Sequence, residues 1–138
     1  MRVSMNGYQR YKKESIYSMN EAELLLTLYD EAISRLKRAK MALSDREYAL
    51  FEENLGRVVR IVRYLMEILD LQQPLSGELR RIYTYLLYDL GRIRAGREKQ
   101  EAEIGRVSHI LSELREAFAE AGRRTGGGRT PQAGELRG

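Results

Sequence analysis

The chain has 138 residues, 43% of them hydrophobic and 32% charged, and no cysteine. That length suits one domain around one core; no apolar run approaches the roughly 18 residues of a membrane-spanning helix, and without thiols there is no disulfide staple, thiol nucleophile or Cys-based zinc site. Most of the net charge of +4 lies in residues 123–138, where Arg123, Arg124, Arg129 and Arg137 face Glu135 alone, so the 20 basic and 19 acidic groups before them make no basic domain for nucleic acid.

Residues 1–18 are polar and contain Tyr8, Tyr11 and Tyr17 among few aliphatics. They read as an N-terminal arm. Met1-Arg2-Val3-Ser4-Met5-Asn6-Gly7 has no apolar stretch after its charge, so no secretory signal is expected. A cysteine-free chain of this kind fits the cytosol.

The first helix starts at Met19-Asn20-Glu21-Ala22-Glu23-Leu24. Asn20 can accept from the free first-turn amides. Glu23 can reach back as in a capping box, with Met19 and Leu24 as a staple. Leu25, Tyr29, Ala32, Leu36, Ala39 and Leu43 then step by three and four, the spacing of a core-facing stripe. Ser44-Asp45-Arg46-Glu47 reads as a second capping box with almost no linker before it, so the first two helices should form an antiparallel hairpin.

The second stripe is the cleanest: Tyr48, Phe51, Leu55, Val58, Val62, Leu65 and Leu69. Gly56 lies inside it but off the stripe. Gln72-Gln73-Pro74 breaks the pattern because Pro cannot continue a helix. Ser76 is the expected cap of a third helix with core positions Leu79, Tyr83, Leu86, Leu90 and Ile93. Gly91 and Gly96 weaken its end. A fourth helix is expected to begin between Arg97 and Gln100, to bury Ile104, Val107, Leu111, Leu114, Phe118 and Ala121, and to stop at Gly122. Residues 123–138, rich in Gly and poor in hydrophobes, are expected to be a disordered tail. The predicted organisation is an arm over 1–18, a bundle over 19–122 and the tail. The fold class is all-α, an antiparallel up-down four-helix bundle.

No catalytic chemistry is expected. A ferritin-like metal pair needs Glu-x-x-His on inward helix faces. The single histidine, His109, has Arg106 three residues before it. No serine has a His–Asp partnership that the sequence can point to. Gly126-Gly127-Gly128 lacks the Lys-Ser/Thr of a phosphate loop. The chain therefore reads as a non-enzyme without cofactor or metal.

Apolar residues exceed what a core requires. In the second helix Val59 and Met66 can widen the core face, while Ile61, Tyr64 and Ile68 line another side. In the third, Ile82 and Tyr85 form a side stripe with Leu87 and Tyr88 further round. The first helix adds Leu26 and Ile33. The second and third helices should be neighbours, so their extra residues are expected to line a shared outer groove of the kind that takes an amphipathic helix. A wider core is the alternative. Tyr8 and Tyr11 fall on one face of a helical turn, and such an arm can fold over an apolar groove. An unstructured arm is the alternative there.

The run Tyr8-x-x-Tyr11, Ser15-Ile16, Leu24 through Leu28-Tyr29-Asp30-x-Ala32-Ile33 and Leu36-x-x-Ala39 resembles the opening of the flagellin-specific type of flagellar secretion chaperone. Leu87-Tyr88-Asp89 is similar to a second Leu-Tyr-Asp/Glu element of that family. The likeness covers roughly residues 7–120. Asn20-Glu21 stands where the family has Ser-Pro, and both make sound first turns. Glu31 stands where it has Gly, so any close contact made there must differ. The Gly-rich tail is outside the family pattern. The resemblance implies a cytosolic helical bundle that binds the C-terminal segment of flagellin, prevents premature polymerisation and keeps it exportable, without nucleotide or membrane insertion. It leaves room for export-gate components as partners. The alternative is a helical adaptor of the export system whose client is an anti-sigma factor or a co-chaperone. Partner contacts are expected at Tyr8, Tyr11, Ile61, Tyr64, Ile68, Ile82, Tyr85 and Tyr88.

Overall fold

A computed structural model describes residues 21–96 and 101–125 of the chain. Among these residues are four α-helices and no strand: α1 (Glu21–Ser44), α2 (Tyr48–Glu67), α3 (Ser76–Gly96) and α4 (Glu101–Thr125). They make the expected all-α up-down bundle. The chain divides into two compact units. Residues 28–116 hold the bodies of all four helices, and the described residues up to Thr27 group with the described residues from Ala117.

In the larger unit the core is built from the predicted stripes. Tyr29, Ala32, Leu36, Ala39 and Leu43 of α1 are buried, with Phe51, Leu55, Val58, Val62 and Leu65 of α2. Tyr83, Leu86, Leu90 and Ile93 of α3 and Ile104, Val107 and Leu111 of α4 complete it. Each large aliphatic buried this way contributes about 1.5–3 kcal/mol. Leu79, Leu114, Tyr48 and Leu69, at stripe ends, are half-buried. Tyr29 and Tyr83 meet inside the core, hydroxyl to hydroxyl at 2.5 Å. Burial, with the other phenol alongside, raises the Tyr29 pKa far above the ordinary tyrosine value. Burial raises that of Tyr83 as well. Both stay neutral, and their bond ties α1 to α3.

Polar pairs link each helix to the next around the ring. Arg35 of α1 donates to Asn54 of α2 at 3.2 Å. Arg94 of α3 donates to Glu52 of α2 at 2.6 Å. Arg106 of α4 donates to Asp89 of α3 at 2.7 Å. Arg115 of α4 donates to Asp30 of α1 at 2.9 Å, which closes the ring.

The α1–α2 connection differs from its expected form. Ser44 is the last residue of α1, not the cap of α2, and Glu47, the residue before α2, makes no side-chain cap bond. A Schellman turn does the work instead. Glu47 N–H donates to the Ala42 carbonyl at 2.8 Å and Arg46 N–H to that of Leu43 at 3.1 Å. Arg46 takes the left-handed conformation, φ 59°, that glycine usually fills there. Ser and Asp serve either end of a helix turn, so local sequence alone does not separate the two motifs.

The α2–α3 connection is organised by Asp70. Its carboxylate accepts from the Gln72 N–H at 3.0 Å and its carbonyl from the Gln73 N–H at 2.9 Å. Ser76 is the first residue of α3, and its buried hydroxyl donates back to the Gln73 carbonyl at 2.9 Å. It closes the loop rather than capping the helix.

In the smaller unit α4 continues through Gly122 to Thr125, three residues past the expected stop. A Cβ added at Gly122 would meet the Ala22 side chain at 4.0 Å, an ordinary van der Waals contact. Glu120 accepts from Arg123 at 2.6 Å and Arg124 at 3.2 Å, which supports the final turn. Ala119 is buried there and Ala121 exposed, the reverse of the predicted register. The Asn20 cap, the Met19 staple, the arm, the start of α4 at Arg97–Gln100 and the tail from residue 126 lie outside the described residues.

Candidate binding surface

Two residues fix which way the sides of α2 face. Glu52 pairs with α3 and Asn54 with α1. Steps of seven residues are two helical turns and keep the same side. From Glu52 they lead to Val59 and Met66, which therefore lie on the α3 side. From Asn54 they lead to Ile61 and Ile68, which lie on the α1 side. Tyr64 stands further out on that side and is exposed. Leu50, one turn before Asn54, is exposed and extends the same stripe. Ile61 and Ile68 are half-buried. Ile68 lies one residue past α2, and its N–H donates to the Tyr64 carbonyl at 3.0 Å.

The sides of α3 are fixed in the same way. Arg94 marks its α2 side, and seven residues back is Leu87. Asp89 marks its α4 side, and seven residues back is Ile82. Tyr85, one turn before Asp89, lies on the α4 side with the Arg106 guanidinium 5.9 Å from its ring centre. Tyr88 is exposed on the outer face with Arg92 at 5.9 Å. By these helical steps the side residues of α2 and α3 fall on different edges rather than on one shared face. Ile61, Tyr64 and Ile68 sit on the α1/α2 edge, Ile82 and Tyr85 on the α3/α4 edge, and Tyr88 between α3 and solvent. Tyr8 and Tyr11 lie outside the described residues. Leu26 and Ile33 of α1 are half-buried.

Asp89 anchors the α3/α4 edge. Its buried carboxylate accepts from Arg106 at 2.7 Å and Arg92 at 2.8 Å, and Glu103 also pairs with Arg106. Burial on its own would raise the Asp89 carboxyl, but the hydrogen bonds and charges of Arg106 and Arg92 outweigh it and hold it below the usual carboxylate range. The two guanidiniums are pinned from beneath and present their remaining donors beside Tyr85 and Tyr88. Such an edge can take aromatic, amide or carboxylate groups. No spacing pattern marks Asp89 as an anchor, and Leu50 lies outside the expected side stripe. The three-turn spacing of Leu50 before Ile61 was a usable signal.

Among the described residues no three His, Cys, Asp or Glu side chains gather as a metal ligand set. No described helix is long and apolar enough to cross a membrane. The described surface carries exposed or half-buried apolar side chains on two helix edges, Leu50, Ile61, Tyr64 and Ile68 on one and Ile82 and Tyr85 on the other.

The family model for flagellar protein FliS matches residues 4–125. The chain belongs to the FliS family. One curated FliS relative is the flagellar secretion chaperone FliS of Bacillus subtilis (strain 168), 23% identical over 116 residues, covering 84% of this chain and 86% of that protein. FliS membership makes the chain a protein of flagellar biogenesis, and the FliS match runs through both apolar edges and back into the arm.

Proposed function

We propose that this chain is a cytosolic export chaperone that binds the C-terminal segment of flagellin, keeps it from polymerising early and holds it competent for secretion. The observation that carries the reading is the pair of apolar edges, Leu50, Ile61, Tyr64 and Ile68 on α1/α2 and Ile82 and Tyr85 on α3/α4. The Bacillus relative, a flagellar secretion chaperone by name, supports it. A segment lacking stable structure of its own can order itself along such edges. Part of its binding energy is then consumed by ordering, which keeps affinity moderate and release feasible. The edges lie on opposite sides of the helix ring, so one client must run around the bundle to use both. No chemical step is needed, and no nucleotide or metal enters.

The double substitution Ile61→Asp/Ile68→Asp is expected to abolish capture of a flagellin C-terminal peptide while the helical circular dichroism signal is retained. Tyr85→Ala, on the other edge, should weaken capture by about tenfold, the loss typical of an aromatic anchor. Wild-type affinity in both variants would show that neither edge holds the client. The FliS match reaches back to residue 4, so the arm belongs to the reading. Removal of residues 1–14, with Tyr8 and Tyr11, should change peptide affinity, and an unchanged value would leave the arm without a role in binding.

A further inference from the structure

The α1/α4 edge has a different chemistry from the apolar edges. From Ala32 to Ser44, α1 carries Arg35, Lys37, Arg38 and Lys40 and no acid. Arg35 is engaged by Glu31 at 2.9 Å and by Asn54 at 3.2 Å. Lys37 and Lys40 have no ion pair among the described residues. Both line a cleft of about 310 Å³ between α1 and α4, whose floor is Leu36 and Ile104 and whose far wall includes Gly105 and Ser108. His109, on the rim, faces Glu113 at 3.2 Å.

Gly105 adds a second constraint. Mid-helix glycine costs about 1 kcal/mol relative to alanine. A Cβ at this position would meet nothing within 4 Å, so nothing in the described chain requires its absence. That open space lies in the cleft that the two lysines also line.

The charge of the chain's other segments narrows the occupant. Residues 1–20 hold Arg2, Arg10, Lys12 and Lys13 against Glu14, and residues 126–138 hold Arg129 and Arg137 against Glu135. Both carry net charge of the same sign as the two lysines. A second copy meeting this edge with its own α1 would bring the same lysines. The complementary occupant is an acidic segment of another protein.

We infer that the α1/α4 cleft docks an acidic stretch of the client, with Lys37 and Lys40 pairing its Asp or Glu side chains and Gly105 admitting its backbone. This rests on the export-chaperone reading and adds a third, electrostatic contact to the two apolar edges. It predicts that client capture has a salt-sensitive component arising at one edge.

The test is fluorescence anisotropy with the full chain and a labelled peptide of the flagellin C-terminal segment from the same organism. Lys37→Glu/Lys40→Glu is expected to bind about tenfold more weakly at low ionic strength, with the difference falling to about threefold near 0.5 M salt as screening grows. Gly105→Leu fills the cleft without changing charge and should weaken binding about tenfold at either salt concentration. Lys37→Arg/Lys40→Arg should bind as wild type. Unchanged affinity in the Glu and Leu variants, with the wild type binding normally, overturns the inference and leaves the chaperone reading intact. So does a loss confined to the Glu variant, because that would reflect a diffuse field and not an occupied cleft. A wild-type dimer in sedimentation that the Glu variant dissolves would assign the edge to a second copy and overturn the inference. Failure of the wild type to bind the peptide at all removes the chaperone reading and the inference together.

Discussion

Leu28-Tyr29-Asp30 in α1 and Leu87-Tyr88-Asp89 in α3 share the same three residue types, but the burial of the tyrosine and the aspartate is reversed. Tyr29 is 0% exposed and Tyr88 66%. The Asp30 side chain is 56% exposed and that of Asp89 1%. The cause is the phase of each helix. In α1 the buried positions Ala32, Leu36 and Ala39 continue from Tyr29. In α3 they run Tyr83, Leu86, Leu90 and Ile93, which leaves Tyr88 on the far side and brings Asp89 to the core's rim. A short motif therefore does not determine what its residues do. One copy builds the core, and the other presents an aromatic ring to solvent above a pinned pair of arginines.

The widest separation between the two copies is expected at their tyrosines. Tyr29→Ala should cost about 4 kcal/mol in chemical denaturation, as deletions of buried aromatics do. Tyr88→Ala should stay within about 0.5 kcal/mol of wild type and instead weaken peptide capture. Comparable stability losses in both variants would show that the burial contrast is wrong. The aspartates come next. Asp89→Asn should cost about 2 kcal/mol, because charge-assisted bonds from two guanidiniums are lost at a buried site. Asp30→Asn, exposed and paired with Arg115, should leave the denaturation midpoint unchanged.

The pH dependence sharpens this second contrast. The Asp89 carboxyl has a depressed pKa in the folded chain, so its stabilising effect is complete above the ordinary carboxylate range. It is lost as pH falls through the lower folded value. The stability gap between wild type and Asp89→Asn should be constant from neutral pH to about 5 and close progressively below about 4. A gap that persists undiminished at low pH would mean that charge is not what Asp89 supplies. Among the substitutions at buried positions the smallest loss is expected from Tyr83→Phe, which removes the hydroxyl bond to Tyr29 and should cost about 1 kcal/mol in the same denaturation experiment.

Periodicity carried most of the fold. The α2 stripe from Phe51 to Leu65 is buried as its spacing predicts, and so are the central positions of the other helices. Three features were not readable in this way. The turn at Ser44–Glu47 uses residues that suit a cap or a Schellman turn equally. Asp89 is tolerated at the core's rim because of Arg106, seventeen residues away, a partnership no local pattern marks. The edges on which Ile61 and Ile82 fall depend on which neighbour lies to each side of a helix, and hence on the direction in which the ring turns. The stripe spacing is the same for either direction. The side residues themselves were legible; their grouping required the cross-helix pairs at Asn54, Glu52 and Asp89.

Under the proposed function the apolar edges of this bundle order a flagellin segment. Isothermal titration calorimetry of the full chain with the C-terminal segment of flagellin from the same organism, run at several temperatures, tests it most directly. Saturable binding of one segment per chain is expected, with favourable enthalpy and a negative heat-capacity change from coupled folding and apolar burial. Absence of a binding isotherm, or binding without a heat-capacity change, would contradict it.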